Sequence, residues 1–175
     1  MTSCGPDIQN YNYTHMYSFV DYRRDVNKIC ITPGTMYEYL VKSGNFTKFN
    51  KIIRRANIIE KLNEPQNNCT LFAPSDNYLT NIREEFFDTI DVGMARQIFD
   101  ASVIDRKITK NLITSSPVSY YYTRNDKMRM YVINIDDITK INNSVKIIKY
   151  DINVNNGLIH IIDGLIIPNE EHFMN

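Results

Sequence analysis

The stretch Asn156-Gly157-Leu158-Ile159-His160-Ile161-Ile162-Asp163-Gly164-Leu165-Ile166-Ile167-Pro168 constrains the fold of this chain more than any other. Asn-Gly supplies a positive-φ turn, the Leu and Ile residues after it supply strand burial, and Pro168, lacking an amide, ends an edge. A histidine inside so apolar a run is read as a hydrogen-bonded core residue, so His160 needs polar partners. Asp163, before Gly164, stands in a turn position where a carboxylate accepts backbone amides and organises the chain locally.

A second informative stretch is Thr70-Leu71-Phe72-Ala73-Pro74-Ser75-Asp76. It predicts a short buried strand ended by Pro74, after which Ser75 or Asp76 caps a helical turn through Tyr78 and Leu79. Upstream, Thr35-Met36-Tyr37-Glu38 has capping-box spacing and predicts a short helix from Thr35 to near Gly44. Apolar residues at 46, 49, 52, 53, 56, 59 and 62 predict one amphipathic helix whose basic outer face is simply solvated. Helical spacings over 82–103 predict one or two further short helices.

After Ile108 the texture turns to β. Val118 to Thr123, Met128 to Ile135, Val145 to Ile152 and Leu158 to Ile167 read as strands, joined at Arg124-Asn125-Asp126-Lys127 and Asn142-Asn143-Ser144 by turn chemistry. Helices first and strands afterwards give an α+β class, a helical layer packed on a small β-sheet or wedge of strands. At 175 residues with 43% hydrophobic content, one core is expected. Residues 1–32, polar with scattered aromatics, are read as an N-terminal extension, 33–170 as the domain and 171–175 as a tail.

Twenty basic residues balance twenty acidic ones, so the attraction that drives binding to phosphate backbones or anionic membranes is missing and nucleic acid is not an expected partner. The apolar runs fall far short of the ~20 residues of a membrane-spanning helix, and no membrane insertion is expected. Met1 to Asp7 carry no basic cluster followed by an apolar stretch and do not read as a secretory signal. Cys4, Cys30 and Cys69 are too few and too widely spaced for a disulfide framework or a zinc site; they read as reduced thiols, with an intermolecular disulfide as the alternative. Abundant Asn, Ile, Lys and Tyr suggest an AT-rich coding genome, such as some viruses, protists or bacteria have.

Together the two informative stretches resemble the signatures of the fasciclin-type domain family. Thr70, Phe72, Ala73, Pro74 and Asp76 carry the first, and Asn156, Gly157, His160, Asp163 and Pro168 the second. The resemblance implies a non-catalytic adhesion or interaction module for a protein receptor, matrix component or glycan, at the cell surface or outside the cell. It also directs attention to Tyr150-Asp151-Ile152, since an Asp-Ile pair in this register is implicated in receptor binding by animal members; the same pair is also an ordinary strand pattern. Ala101-Ser102 stands where the family carries a Tyr-His pair, which puts adhesion of the animal type in doubt. With the missing secretory signal, it supports the alternative of an intracellular or virion scaffold. Tyr120-Tyr121-Tyr122 offers aromatic surface to a protein or carbohydrate, and homo-oligomers are compatible with all of this. The resemblance further leads us to expect His160 to satisfy a polar group on the Thr70 to Asp76 segment.

Catalysis has little to draw on. The histidines are His15, His160 and His172, and GxSxG, HExxH and glycine-rich phosphate loops are absent from the sequence. A Ser75, His160 and Asp163 triad is conceivable only if the fold brings the three together. Glu84-Glu85 and Asp136-Asp137 are adjacent pairs that point in different directions, so no metal or cofactor is expected. Asn12, Asn45, Asn68 and Asn142 open glycosylation sequons that an Asn-rich chain matches by chance.

Overall fold

A computed structural model describes residues 31–126 and 128–168. The extension up to residue 30, with Cys4, Cys30, His15 and the Asn12 sequon, and the tail, with His172, lie outside the described residues.

The chain runs β1 (Ile31–Thr32), α1 (Met36–Lys42), α2 (Thr47–Arg55), α3 (Ile59–Asn63) and β2 (Cys69–Pro74), then a 3-10 turn at Asp76–Tyr78. It continues through α4 (Glu84–Thr89), α5 (Val92–Ala101), β3 (Val103–Ile104), α6 (Lys110–Thr114), β4 (Val118–Tyr122), β5 (Arg129–Ile135), β6 (Ile138–Ile141), β7 (Val145–Val154) and β8 (Gly157–Ile162). The class is α+β. Seven strands lie in the order β3-β2-β8-β7-β6-β5-β4, and β1 adds to β7 in parallel at Asn153 and Val154.

β8 lies between parallel β2 and antiparallel β7. All six residues of β2 are buried, and five of six in β8. The reason is a core on each side of the sheet. Leu71, Ala73 and Ile159 face the cluster built by Phe49, Ile53 and Phe99 of α2 and α5. Phe72 and Ile162 face the other cluster, with Met130, Val132, Ile141 and Ile113. A strand buried on both faces reads as a continuous apolar run, which is why these two stretches dominate the sequence.

β7 joins the halves and is bent by bulges. Ile147 pairs with Ile162 and Ile152 with Ile159, so β7 uses five steps (152 − 147) where β8 uses three (162 − 159). Asp151 sits in this irregularity at φ 55°.

The structure corrects several expectations. The helix read over 46–62 is two helices, broken where Asn57 takes φ 54°, a left-handed conformation that ends helices and that Asn tolerates. The chain after Ile108 is not all β, because Thr109 caps a further helix, α6, by accepting from the Leu112 amide. Asp136 and Asp137 have φ 48° and 63° and turn the chain from β5 into β6, a strand the sequence did not reveal. The final strand stops at Ile162, so Pro168 closes no sheet edge; it follows an irregular segment whose Leu165 and Ile166 return to the core. The helix predicted from Thr35 is present with its capping box intact.

Candidate functional site

The signature residues form a set of polar ties between distant segments. His160 is fully buried; Nδ1 accepts from the Asp151 amide at 3.1 Å, and Nε2 lies 2.7 Å from the Ile108 carbonyl oxygen. With Nδ1 accepting, Nε2 carries the proton and donates, so the ring is neutral. Burial pushes its pKa below the ordinary 6.5, against the opposite pull of the Ile108 carbonyl and the Asp151 charge. The ring rests beside Phe72 and Tyr150, with centroids at 5.2 and 5.7 Å. The expected hydrogen bond from His160 to the Thr70 to Asp76 segment is therefore corrected: that segment meets the ring through the tilted Phe72 ring. Thr70 instead accepts from the Ile108 amide through Oγ1 and donates to the Arg106 carbonyl, so both strands hold the 106–108 loop from adjacent positions.

Asn156 ties the helices to the sheet. Its Oδ1 accepts from the Met36 amide at 2.8 Å, and its Nδ2 donates to the Leu62 and Glu64 carbonyls at 2.7 and 3.0 Å. Gly157 is required by closeness: a Cβ there would collide with the Cys69 carbonyl and Met36 Cε. At φ 159° its backbone is nearly extended, so space, not a turn conformation, selects glycine.

The two signature aspartates act as acceptors. Asp76 takes the Thr47 amide and hydroxyl on Oδ2 and the Lys48 amide on Oδ1, capping α2 from outside the helix. Burial alone would raise its pKa; the bonds from Thr47 and Lys48 outweigh that and hold it below the usual carboxylate value. Asp163 accepts from the Lys146 amide at 2.7 Å and returns a bond to the Lys146 carbonyl, so it organises the neighbouring strand β7 more than its own turn.

Among the described residues, these commitments tie up the His160 and Asp163 that a triad with Ser75 would need. Both His160 nitrogens are held by backbone groups, and Asp163 is engaged with Lys146. The Asp-Ile pair also departs from a surface contact. Ile152 is only 7% exposed and belongs to the core, and Asp151 Oδ1 accepts from the Lys110 amide at the start of α6. Ala101 and Ser102 are buried too, with Ser102 Oγ donating to the Ile98 carbonyl. The basic face of α2 is not merely solvated, since Lys48 and Lys51 pair with Glu84, Lys51 also with Asp88, and Arg55 donates to the Asp88 carbonyl.

Two open clefts, of about 260 and 330 Å³, lie near Tyr39–Tyr78 and near Asn67–Arg106. Both are at or below the small end of ligand sites. The larger unused feature is the outer face of β4, β5 and β6. Tyr120 is 61% exposed, Tyr122 76% and Ile135 61%, with Val118 and Ile138 also exposed and Tyr131 and Ile133 partly so. Tyr120 faces Tyr131 across the strands with ring centroids 5.0 Å apart. Arg129 and Lys140 are exposed on the same face, Arg129 lying over the Tyr120 ring. Tyr121, between the two exposed tyrosines, points inward and is buried, as strand alternation requires.

The Fasciclin domain model matches residues 44–168, from the loop before α2 to Pro168. This chain belongs to the fasciclin domain family. A "Fasciclin-like arabinogalactan protein" of Arthroderma benhamiae is 24% identical over 165 residues, which is 93% of this chain and 38% of that protein. A FAS1 domain pair from the insect cell adhesion molecule fasciclin I shares the fold, with TM-score 0.63 and 16% identity over 79% of this chain and 52% of the pair. The chain thus spans well under two thirds of the length of either. Fasciclin domains are interaction modules, commonly related to adhesion and generally non-catalytic.

The sequence points to the Tyr120-Tyr121-Tyr122 surface but not to its extent over β5 and β6. Its signal was present in the alternation Val118, Tyr120, Tyr122, but the partner residues on β5 and β6 become neighbours only through the register.

Proposed function

We propose that this fasciclin domain is a non-catalytic interaction module that holds its partner, a protein receptor, matrix component or glycan, against the outer face of β4, β5 and β6. The observation that carries the reading is the contiguous exposure of Val118, Tyr120, Tyr122, Ile135 and Ile138 on one sheet face. Exposed apolar patches of this kind mark interaction sites, and tyrosine and arginine dominate interface energetics. Exposed Tyr rings suit sugar C–H faces as well as protein side chains. The Tyr150-Asp151-Ile152 reading has less support, because the apolar half of the pair is inside.

The test is binding of purified protein to intact cells and to an array of matrix glycans, comparing wild type, Asp151→Ala and a Tyr122→Ser, Ile135→Ser double variant. We expect wild type and Asp151→Ala to bind alike and the double variant to bind about tenfold more weakly or worse. Loss with Asp151→Ala alone moves the contact to that residue, and absence of wild-type binding rejects the adhesion reading.

A further inference from the structure

β4 is the last strand of the sheet, and the ladder fixes which of its backbone groups are used. The Asn134 amide donates to the Pro117 carbonyl at 2.8 Å, and the Thr123 amide donates to the Met128 carbonyl at 3.4 Å. Both pairs continue the register that sets Val118 opposite Ile133 and Tyr122 opposite Arg129. Hydrogen-bonded and non-hydrogen-bonded pairs alternate along an antiparallel ladder, so Ser119 and Tyr121 turn their N–H and C=O toward β5. Val118, Tyr120 and Tyr122 turn theirs outward, and among the described residues no strand pairs with that edge.

Edge strands are normally blunted by a charge, a proline or a bulge. Val118-Ser119-Tyr120-Tyr121-Tyr122 contains no charge or proline, and its register against β5 is continuous. We propose that β4 pairs antiparallel with β4 of a second copy about a two-fold axis at Tyr120. Tyr120 then faces Tyr120 of the second copy, and Val118 faces its Tyr122. The three residues with outward backbone groups thus meet the same three, the self-complementarity a two-fold interface requires. Because the strand is neutral, the pairing sets no like charges against each other. The side chains of these residues lie on the outer face, so the two outer faces become one continuous surface. The pairing does not depend on which partner that face holds.

A five-residue edge lies at the small end of interfaces, so dissociation constants on the order of 100 µM are expected. Sedimentation equilibrium of the full 175-residue chain under reducing conditions, from about 10 µM to about 1 mM, reads this directly. The average mass is expected to rise toward twice the chain mass for wild type and for Tyr120→Phe. Tyr120→Lys places two ammonium groups opposite each other, and Tyr120→Pro removes an outward amide that the fold does not use; both are expected to stay monomeric. Melting curves check that the variants fold. Amide exchange at Tyr120 and Tyr122 in wild type is a second measure that needs no variant: it should slow as concentration rises. A wild type that is monomeric throughout, folded Lys and Pro variants that associate like wild type, or exchange independent of concentration would each overturn the pairing. Wild type that stays monomeric yet binds cells through the outer face defeats the pairing alone and leaves the interaction reading standing.

Discussion

His160 and Ile108 are 52 positions apart in sequence, and the buried imidazole binds the Ile108 carbonyl oxygen at 2.7 Å. The same ring accepts from the Asp151 amide in the bulge of β7. One side chain on the central strand thereby fixes the loop before α6 and the irregular stretch of the neighbouring strand. Asp151, placed by that bond, accepts from the Lys110 amide and returns to the same region through α6.

Replacing His160 with Phe preserves a ring of similar size but leaves the Asp151 amide and the Ile108 carbonyl without their partner. A buried polar group left unsatisfied costs about 1–3 kcal/mol. We therefore expect His160→Phe to unfold at clearly lower denaturant concentration than wild type, with an unchanged slope. An unchanged midpoint would show that water or a local shift satisfies both groups.

The same residue makes stability depend on pH. Its folded pKa is depressed below the ordinary 6.5 by burial, and a second proton would set an N–H donor against the Asp151 N–H donor. Between the folded and unfolded pKa values the unfolded chain binds more protons, so stability rises with pH across that window. The contribution is fully present above the unfolded value near 6.5 and is lost as pH falls toward the folded value. Melting temperatures at pH 7.5 and 5.5 should differ more for wild type than for His160→Gln. Equal differences would remove His160 from the acid response.

How far such ties can be read from sequence depends on how local they are. The Thr35–Glu38 capping box spans one helical turn, and the doubly buried strands announce themselves as apolar runs. The partners of His160 could not be read, because Ile108 and Asp151 contribute backbone atoms, and any residue type offers those. β6 was hidden because its entry turn is Asp136-Asp137, without the glycine that usually marks such a turn. The break at Asn57 was masked by apolar residues that keep helical spacing straight through it.

Asn156 separates geometry from polarity in the joint between helices and sheet. Asn156→Asp keeps an acceptor for the Met36 amide but turns a carboxylate toward the Leu62 and Glu64 carbonyls that now receive hydrogens. Asn156→Ala removes all three bonds without adding a charge. Each lost partner is worth about 1–3 kcal/mol in a buried site. We expect both variants to be destabilised and Asp the more so at pH 7, with part of its deficit recovered at pH 4, where the acid can donate. Chemical denaturation at the two pH values checks the crossover.

Cys69 is buried opposite Gly157 on the neighbouring strand, and burial pushes its thiol up to about 11. A thiol so placed is almost entirely protonated at neutral pH and unreactive. In a Cys4→Ser, Cys30→Ser background, iodoacetamide at pH 7.5 should label Cys69 only at the rate of unfolding. Rapid labelling of the native protein would mean that the β2–β8 junction opens locally.

The Asp151-Ile152 pair can be tested without a known partner, because its two residues do different work. Ile152 is a core residue, and burying an Ile→Ala truncation costs about 2–5 kcal/mol through lost transfer energy and the cavity left behind. Asp151→Ala removes a single partly exposed acceptor from the Lys110 amide, and it places Ala at φ 55°, a conformation that Ala tolerates less well than Asp. Ile152→Ala should therefore lower the denaturation midpoint well below that of Asp151→Ala. Any loss of cell binding in the Ile152 variant should return at temperatures where it is folded. If Ile152→Ala instead abolished binding while its midpoint stayed at the wild-type value, the isoleucine would have to reach a partner directly, and the bulge of β7 would be a contact surface.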